Sequence, residues 1–237
     1  MGFRRNKGCE ETVATLWELL SIRKRQGSST YVGYLDLSNA FPSTWRAGLF
    51  SRLFELLGDC RPIRLAQALY QIDRARVRMG LHSSEPWSNR LGVKTGDPLS
   101  PILFLVFMHE LSTRLKAEGL GIHLAGLHLP VFLYADDIAL LADSAQKMQA
   151  MLLVCERWAR EYRMVFSLKK CGVVEYRATL PDNEREWELQ GGKVLEGRGY
   201  KYLGIHFHQS LSGRAHALEL RGRVKRRIGQ LRHVVLN

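Results

Sequence analysis

Apolar and polar positions alternate along the chain with two distinct periods. Between Glu10 and Lys24, Val13, Leu16, Trp17 and Leu20 recur at i, i+3, i+4, i+7, which predicts an amphipathic helix. Arg23, Lys24 and Arg25 close it where the helix dipole favours cations. Gly27 to Thr30 breaks the pattern, and Tyr31 to Leu37 reads as a buried strand carrying Asp36 near its end. Helices are predicted over Trp45 to Leu57, stopped by Gly58, and over Pro62 to Ile72. From Asp73 to Leu81 the period changes to two: Ala75, Val77, Met79 and Leu81 alternate with Arg74, Arg76 and Arg78. That segment is either a solvated edge strand or a strand turned toward phosphates.

A glycine-bounded loop, Gly92 to Pro101, leads into a strongly apolar helix ending near Glu118. Val131 to Leu141 is two short apolar strands split by Asp136 and Asp137, expected as a two-residue Asp-Asp hairpin tip. In the next helix Met148, Met151, Leu152, Cys155, Trp158, Ala159 and Tyr162 form a core stripe. Short strands are predicted at Met164 to Ser167, Gly172 to Tyr176 and Tyr200 to Phe207, a turn-rich connection at Pro181 to Arg185, and a basic helix over Leu211 to Leu236. The order around the acidic residues is β-α-β-β-α-β, which predicts an α+β, ferredoxin-like antiparallel sheet with packed helices. The helices between Leu37 and Leu81 are an insertion into it.

Composition narrows the partners. The 237 residues suffice for a core without staples, and 35 lysines and arginines against 23 acids give a net charge of +12, the footprint of a polyanion partner. Cys9, Cys60, Cys155 and Cys171 lie far apart with no C-x-x-C pair, so a reducing intracellular compartment, nucleus or cytoplasm, is expected. The longest apolar stretch, Pro101 to Met108, is too short to span a bilayer, so no membrane is expected.

An aspartate pair inside an apolar run is costly unless the carboxylates sit at an exposed turn or bind cations. In the ferredoxin-like order the end of the first strand lies beside the hairpin tip, which would bring Asp36 to Asp136 and Asp137. Three clustered carboxylates repel one another, and divalent cations relieve that repulsion; hard oxygen ligands of this kind suit Mg²⁺. Two such ions, roughly 3.5–4 Å apart, serve phosphoryl transfer by activating a hydroxyl and steadying a leaving oxygen. A solvated turn without metal is the open alternative on the residues alone. His123, His128, His206 and His208 offer a weaker metal reading that solvated histidines also satisfy.

Five segments carry a family resemblance: Tyr34-Leu-Asp-Leu-Ser-Asn-Ala-Phe41, Gly92-Val-Lys-Thr-Gly-Asp-Pro-Leu-Ser-Pro-Ile-Leu-Phe104, Tyr134-Ala-Asp-Asp137, Ser167-Leu-Lys-Lys-Cys171 and Tyr202-Leu-Gly204. Their order and spacing resemble motifs A to E of reverse transcriptases, in particular those of non-LTR (LINE-type) retrotransposons and their group II intron relatives. Gly2-Phe3-Arg4 is similar to the short segment that precedes motif A. The resemblance covers nearly the whole chain. It implies an RNA-directed DNA polymerase that adds deoxynucleotides to a primer 3′-hydroxyl with two Mg²⁺ ions. Its partners would be an RNA template, a DNA primer and deoxynucleoside triphosphates; the oligomeric state is left open. Residues 1–30 would be part of the fingers, 31–207 the polymerase palm, and 208–237 a basic helix at the start of the thumb.

By the same resemblance Asp36 and Asp136 would be metal ligands, with the Leu37 carbonyl assisting and Asp137 a third acid. Phe41 would be the steric gate against a ribose 2′-hydroxyl, with a plain core aromatic as the alternative. Gly96 and Asp97 would begin the motif B helix under the incoming nucleotide, Lys170 would stand near the pyrophosphate leaving group, and Tyr202, Leu203 and Gly204 would form the primer grip. The chain departs from the family pattern at Pro42, where aspartate is common, at Thr95, where glutamine is common, and at Ser167, where asparagine is common. Upstream finger segments and most of a thumb are expected to be missing, which leaves a catalytically silent fragment that binds nucleic acid as the alternative to an active polymerase.

Overall fold

In the computed structural model the described residues are 8–177, 185–214, 217, 218 and 220–222. The first half of the chain runs α1 (Cys9–Arg25), β1 (Thr30–Leu35), α2 (Ala40–Ser43), α3 (Arg46–Leu57), α4 (Arg61–Gln71), β2 (Arg74–Ala75), β3 (Arg78–Met79), β4 (His82–Ser83) and β5 (Trp87–Ser88). There follow α5 (Ser100–Ala117), β6 (Ile122–Leu124), β7 (Leu127–Leu129), β8 (Val131–Tyr134), β9 (Asp137–Ala142) and α6 (Ala145–Glu161). The chain then forms β10 (Gly172–Tyr176), β11 (Glu186–Leu189), β12 (Gly192–Leu195), β13 (Gly199–Tyr202) and β14 (Ile205–His208).

The central sheet has the order β10-β1-β9-β8, antiparallel throughout. Numbered within the β-α-β-β-α-β unit, that is 4-1-3-2, the ferredoxin-like arrangement expected from the hydrophobic pattern. Side-chain parity divides the core into two layers. Tyr31, Leu35, Ile138, Leu140 and Ala142 face helices α3, α5 and α6, where Phe104, Phe107, Met148, Leu152 and Trp158 are buried. Val32, Tyr34, Ala139, Leu141 and Val174 face the other way, against Leu16, Leu19 and Leu20 of α1 and Tyr202 and Phe207 of the β13–β14 hairpin. Because successive strand residues point to opposite faces, Asp36 and Asp137 share the second face with Tyr34 and Ala139.

Several predicted elements take another form. The strand expected over Asp73 to Leu81 is broken into β2, paired with β5, and β3, paired with β4. Among the described residues no layer covers its apolar side: Met79 is 78% and Leu81 97% exposed. Met164 to Ser167 contributes a single bridge, Leu37 to Phe166, instead of a strand. Tyr200 to Phe207 is a hairpin, turned at Leu203 and Gly204, which both hold positive φ. Two further hairpins, β6–β7 and β11–β12, turn at Ala125-Gly126 and Gln190-Gly191, again with positive φ at both residues, as two-residue turns between twisted strands require. The connection expected at Pro181 to Arg185, apart from Arg185 itself, lies outside the described residues, as do Gly2 to Arg4 and most of the helix expected over Leu211 to Leu236.

Candidate active site

Asp36 follows the last residue of β1, and the Leu35–Ile138 pairing places it next in register beside Asp137. The chain stays extended past Asp36: the Ser167 N–H donates to the Asp36 carbonyl at 2.8 Å and the Ser38 N–H to the Val165 carbonyl at 2.8 Å. These two bonds flank Leu37 and leave its own carbonyl outside that pairing. Tyr134 pairs with Asp137, so the two-residue tip of the β8–β9 hairpin is Ala135-Asp136 and not the Asp-Asp pair. Ala135 takes the left-handed conformation, φ 55°, and Asp137 becomes the first residue of β9. The shift turns Asp137 onto the sheet face it shares with Asp36.

Asp137 feels that crowding. Burial, reinforced by the charges of Asp136 and Asp36 and partly offset by Lys170, pushes its carboxyl up to about 6. Lys170, in a short 3-10 turn (Leu168–Lys170), places its ammonium 3.2 Å from Asp36 Oδ2. The Tyr200 hydroxyl fixes that turn by donating to the Lys170 carbonyl, and the Tyr200 ring stacks on Tyr34 at 4.4 Å. Tyr202 is buried beside them, and among the described residues its hydroxyl has no hydrogen-bond partner; burial and the Asp137 charge raise its pKa. The Leu203-Gly204 turn lies at the end of that hairpin, facing α1 across a groove lined by Cys9, Val13 and Trp17.

The donor set fits a hard divalent cation: repelling carboxylates, one of them driven toward protonation, with a main-chain carbonyl alongside. Among the described residues there is no group of three or more His, Cys, Asp or Glu side chains that could hold a metal ion, the histidines included. Mg²⁺ does not require one, since it binds through one or two carboxylates plus water and substrate oxygens.

Phe41 and the loop from Gly92 are held by a network that the sequence reading missed. Phe41, in α2, packs its ring against Phe104 at 4.9 Å, and its carbonyl accepts the Val93 N–H at 2.9 Å. Gly92, with φ 77°, lies so close that a Cβ there would come within 2.5 Å of the Pro42 carbonyl oxygen. Behind it, buried Arg46 donates to the carbonyls of Gly92 (2.7 Å), Tyr70 (3.0 Å) and Leu91 (3.2 Å) and to the Asp73 carboxylate (2.7 Å). Lys94 reaches the other Asp73 oxygen at 3.2 Å. Burial alone would raise the Asp73 carboxyl; the hydrogen bonds and charges of Arg46 and Lys94 outweigh it and hold the group below its usual range. An arginine in the first turn of an amphipathic helix looks like a surface residue in sequence, so no local pattern signalled this role.

The motif B helix starts later than expected. α5 begins at Ser100, and Gly96 and Asp97 belong to the turn before it. Gly96 takes φ 88°, and the Asp97 carboxylate accepts the Leu99 N–H at 2.8 Å, capping the approach to the helix. Asp36, Asp137, Lys170 and the β13–β14 hairpin thus come together on one face with Asp136 in the adjoining turn, while Phe41 and the 92–97 loop are organised by Arg46 of α3 and Phe104 of α5.

The chain is 26% identical over 241 residues to the RNA-directed DNA polymerase from mobile element jockey of Drosophila funebris, which covers 97% of the chain and 25% of that protein. It is 29% identical over 214 residues to the Pol polyprotein from type-2 retrotransposable element R2DM of Drosophila melanogaster, covering 87% of the chain and 20% of that protein. The chain therefore spans a quarter or less of the length of these two relatives. In fold it is similar to apo telomerase from Candida tropicalis truncated from its C-terminal domain, with a TM-score of 0.59 and 13% identity over 88% of this chain and 40% of that one. Residues 1–207 match the reverse transcriptase (RNA-dependent DNA polymerase) family over most of their length, and the chain belongs to that family, with relatives among non-LTR retrotransposon polymerases.

Proposed function

We propose that the chain is the polymerase domain of an RNA-directed DNA polymerase, extending a DNA primer along an RNA template with deoxynucleoside triphosphates. The observation that carries this reading is the register that sets Asp36 beside Asp137 on one sheet face, with Asp136 in the adjoining turn, where burial, reinforced by the charges of Asp136 and Asp36, pushes the Asp137 carboxyl up to about 6. Asp36, Asp136 and Asp137, with the Leu37 carbonyl, would hold two Mg²⁺ ions. Those ions, when bound, activate the primer hydroxyl and steady the leaving oxygen.

The chain's own residues do the positioning on which phosphoryl transfer depends. Phe41, braced by Phe104 and tied to Val93, stands as a rigid ring against a ribose 2′-hydroxyl. Gly96 and Asp97 shape the turn under the incoming nucleotide, and Lys170 brings positive charge beside Asp36 for the departing pyrophosphate. Tyr202, Leu203 and Gly204 present the hairpin turn that would grip the primer. In this reading residues 31–207 are the palm, 1–30 a part of the fingers and 208–237 the start of the thumb. The free cysteines accord with work in a reducing compartment, nucleus or cytoplasm, and among the described residues no helix is long and apolar enough to cross a membrane.

Primer extension on an RNA template tests the proposal. Mg²⁺-dependent synthesis is expected, with Asp36→Asn lowering it on the order of 10²–10³-fold, as for loss of a group that stabilises transition-state charge. Synthesis unchanged in that variant would refute the assignment. A second reading, nucleic-acid binding without synthesis, draws on the ion pair through which Lys170 already engages Asp36. Template binding with no extension by the wild-type chain would favour it.

A further inference from the structure

Away from the three aspartates, α3, α4 and residues 88–90 line an open cavity of about 610 Å³, a size within the range of small-ligand sites. Phe50 and Phe54, four apart on α3, form one wall; Gln67 and Gln71, four apart on α4, form another. Arg46 and Tyr70 also line it, with the guanidinium 4.8 Å from the ring centre. Among the described residues, the side chains of Gln67, Gln71 and Arg90 have no hydrogen-bond or ion-pair partner, so their polar groups are free for a ligand.

We propose that this cavity binds a nucleobase with its attached phosphate, supplied by a free nucleotide or by an unpaired residue of an RNA strand. Three features point to that chemistry. Phe54, half-buried on the wall, provides an apolar face against which a base stacks, backed from the core by buried Phe50 and Tyr70. Glutamine amides pair with base edges, bidentately in the case of adenine. Positive charge for the phosphate is supplied by Arg90, which lines the cavity. Occupancy would also brace the nucleotide loop, because Arg46 lines the cavity and holds Gly92 from behind. The site contains none of the three aspartates, so it stands or falls independently of the polymerase reading.

The test titrates the full chain with adenosine 5′-monophosphate and, separately, with a short oligoadenylate RNA, following the side-chain amide NMR signals of Gln67 and Gln71. Those signals are expected to shift saturably with at least one probe. Ser51→Trp, which fills the cavity from an exposed position on α3, Gln67→Leu and Arg90→Ala should each weaken that binding about tenfold or more, on the scale of a lost base or phosphate contact. Asp36→Asn should leave it unchanged. Response to the monophosphate identifies a free nucleotide as sufficient; response to RNA alone, with the same variant pattern, identifies an unpaired strand residue. Amide signals that move with neither probe overturn the proposal, as does binding that folded Ser51→Trp and Arg90→Ala proteins retain in full.

Discussion

The acidic end of the sheet and the basic ribbons that follow α4 are built in opposite ways. Asp36 extends a strand paired on both sides and buried on both faces, and the segment beyond it is clamped by Ser38 and Ser167. The ribbons consist of two-residue strands, with Arg74, Arg78, Met79 and Leu81 in solvent. The contrast follows from what each charge would have to do. Carboxylates that burial and mutual repulsion strain until one is pushed to about 6 must be held in place by surrounding structure, or they would swing apart. Arginines that meet phosphates along a flexible strand need reach and charge, and little pre-organisation. Arg46 joins the two regimes, with its guanidinium on Asp73 beside the first ribbon and on Gly92 at the start of the 92–97 loop.

That junction is where the comparison breaks most readily. Arg46→Ala leaves the buried Asp73 carboxylate short of its main partner and strips four backbone carbonyls of a donor. Removing one member of a buried pair costs about 3–5 kcal/mol, so denaturant unfolding should show a loss of that size. Arg46→Met combined with Asp73→Leu should recover part of it, because the pair then leaves no stranded charge. A smaller loss is expected at Gly92. Gly92→Ala adds a Cβ 2.5 Å from the Pro42 carbonyl oxygen at φ 77°, a strain of about 1–3 kcal/mol. In an active polymerase it should also loosen discrimination against ribonucleotides, since the displaced residues carry Phe41.

The acidic end itself responds to pH. A carboxyl raised to about 6 in the fold, against about 4 in an unfolded chain, keeps its proton in the native state while the unfolded state ionises. Stability of the metal-free protein therefore falls as pH rises from about 4 to about 6 and levels off above. Asp137→Asn should flatten that fall and stabilise the neutral protein by about 1 kcal/mol, a figure reduced for the solvent screening of a half-buried group. Thermal melts across that pH range in chelator check both the sign and the window.

The two regions also differ in how legible they were. The buried strands and helices announced themselves through period and burial, and the 4-1-3-2 sheet followed from their order. The Asp-Asp tip was read one residue out of register, because an alanine with positive φ at a hairpin turn carries no propensity signal. Hairpins turned at Ala125-Gly126, Gln190-Gly191 and Leu203-Gly204 were missed or merged for the same reason; only their glycines hinted at them. Residues 73–81 misled in the other direction. Their alternation fits a strand with a covered face, yet the fold supplies nothing to cover it, and periodicity does not encode the presence of a second layer. The Arg46–Asp73–Lys94 network was invisible because its members come from three separate segments.

The smallest effect on the fold should come from the ribbon arginines, and it sharpens the contrast. Arg74, Arg76 and Arg78 form no ion pair among the described residues, and exposed substitutions away from special features change stability by roughly ±0.5 kcal/mol or less. Arg74→Ala, Arg76→Ala and Arg78→Ala combined should therefore unfold with the wild-type midpoint. Their binding role is a separate matter. Each arginine that neutralises a phosphate releases counterions, so removing three should reduce the slope of log affinity against log salt by about two to three units. The loss should be the same for unrelated sequences of one length, because phosphates carry no base information. Filter binding of single-stranded RNA between low and moderate salt measures the slope directly. An unchanged slope in the triple variant would move the nucleic-acid contact off these ribbons and onto other basic surface.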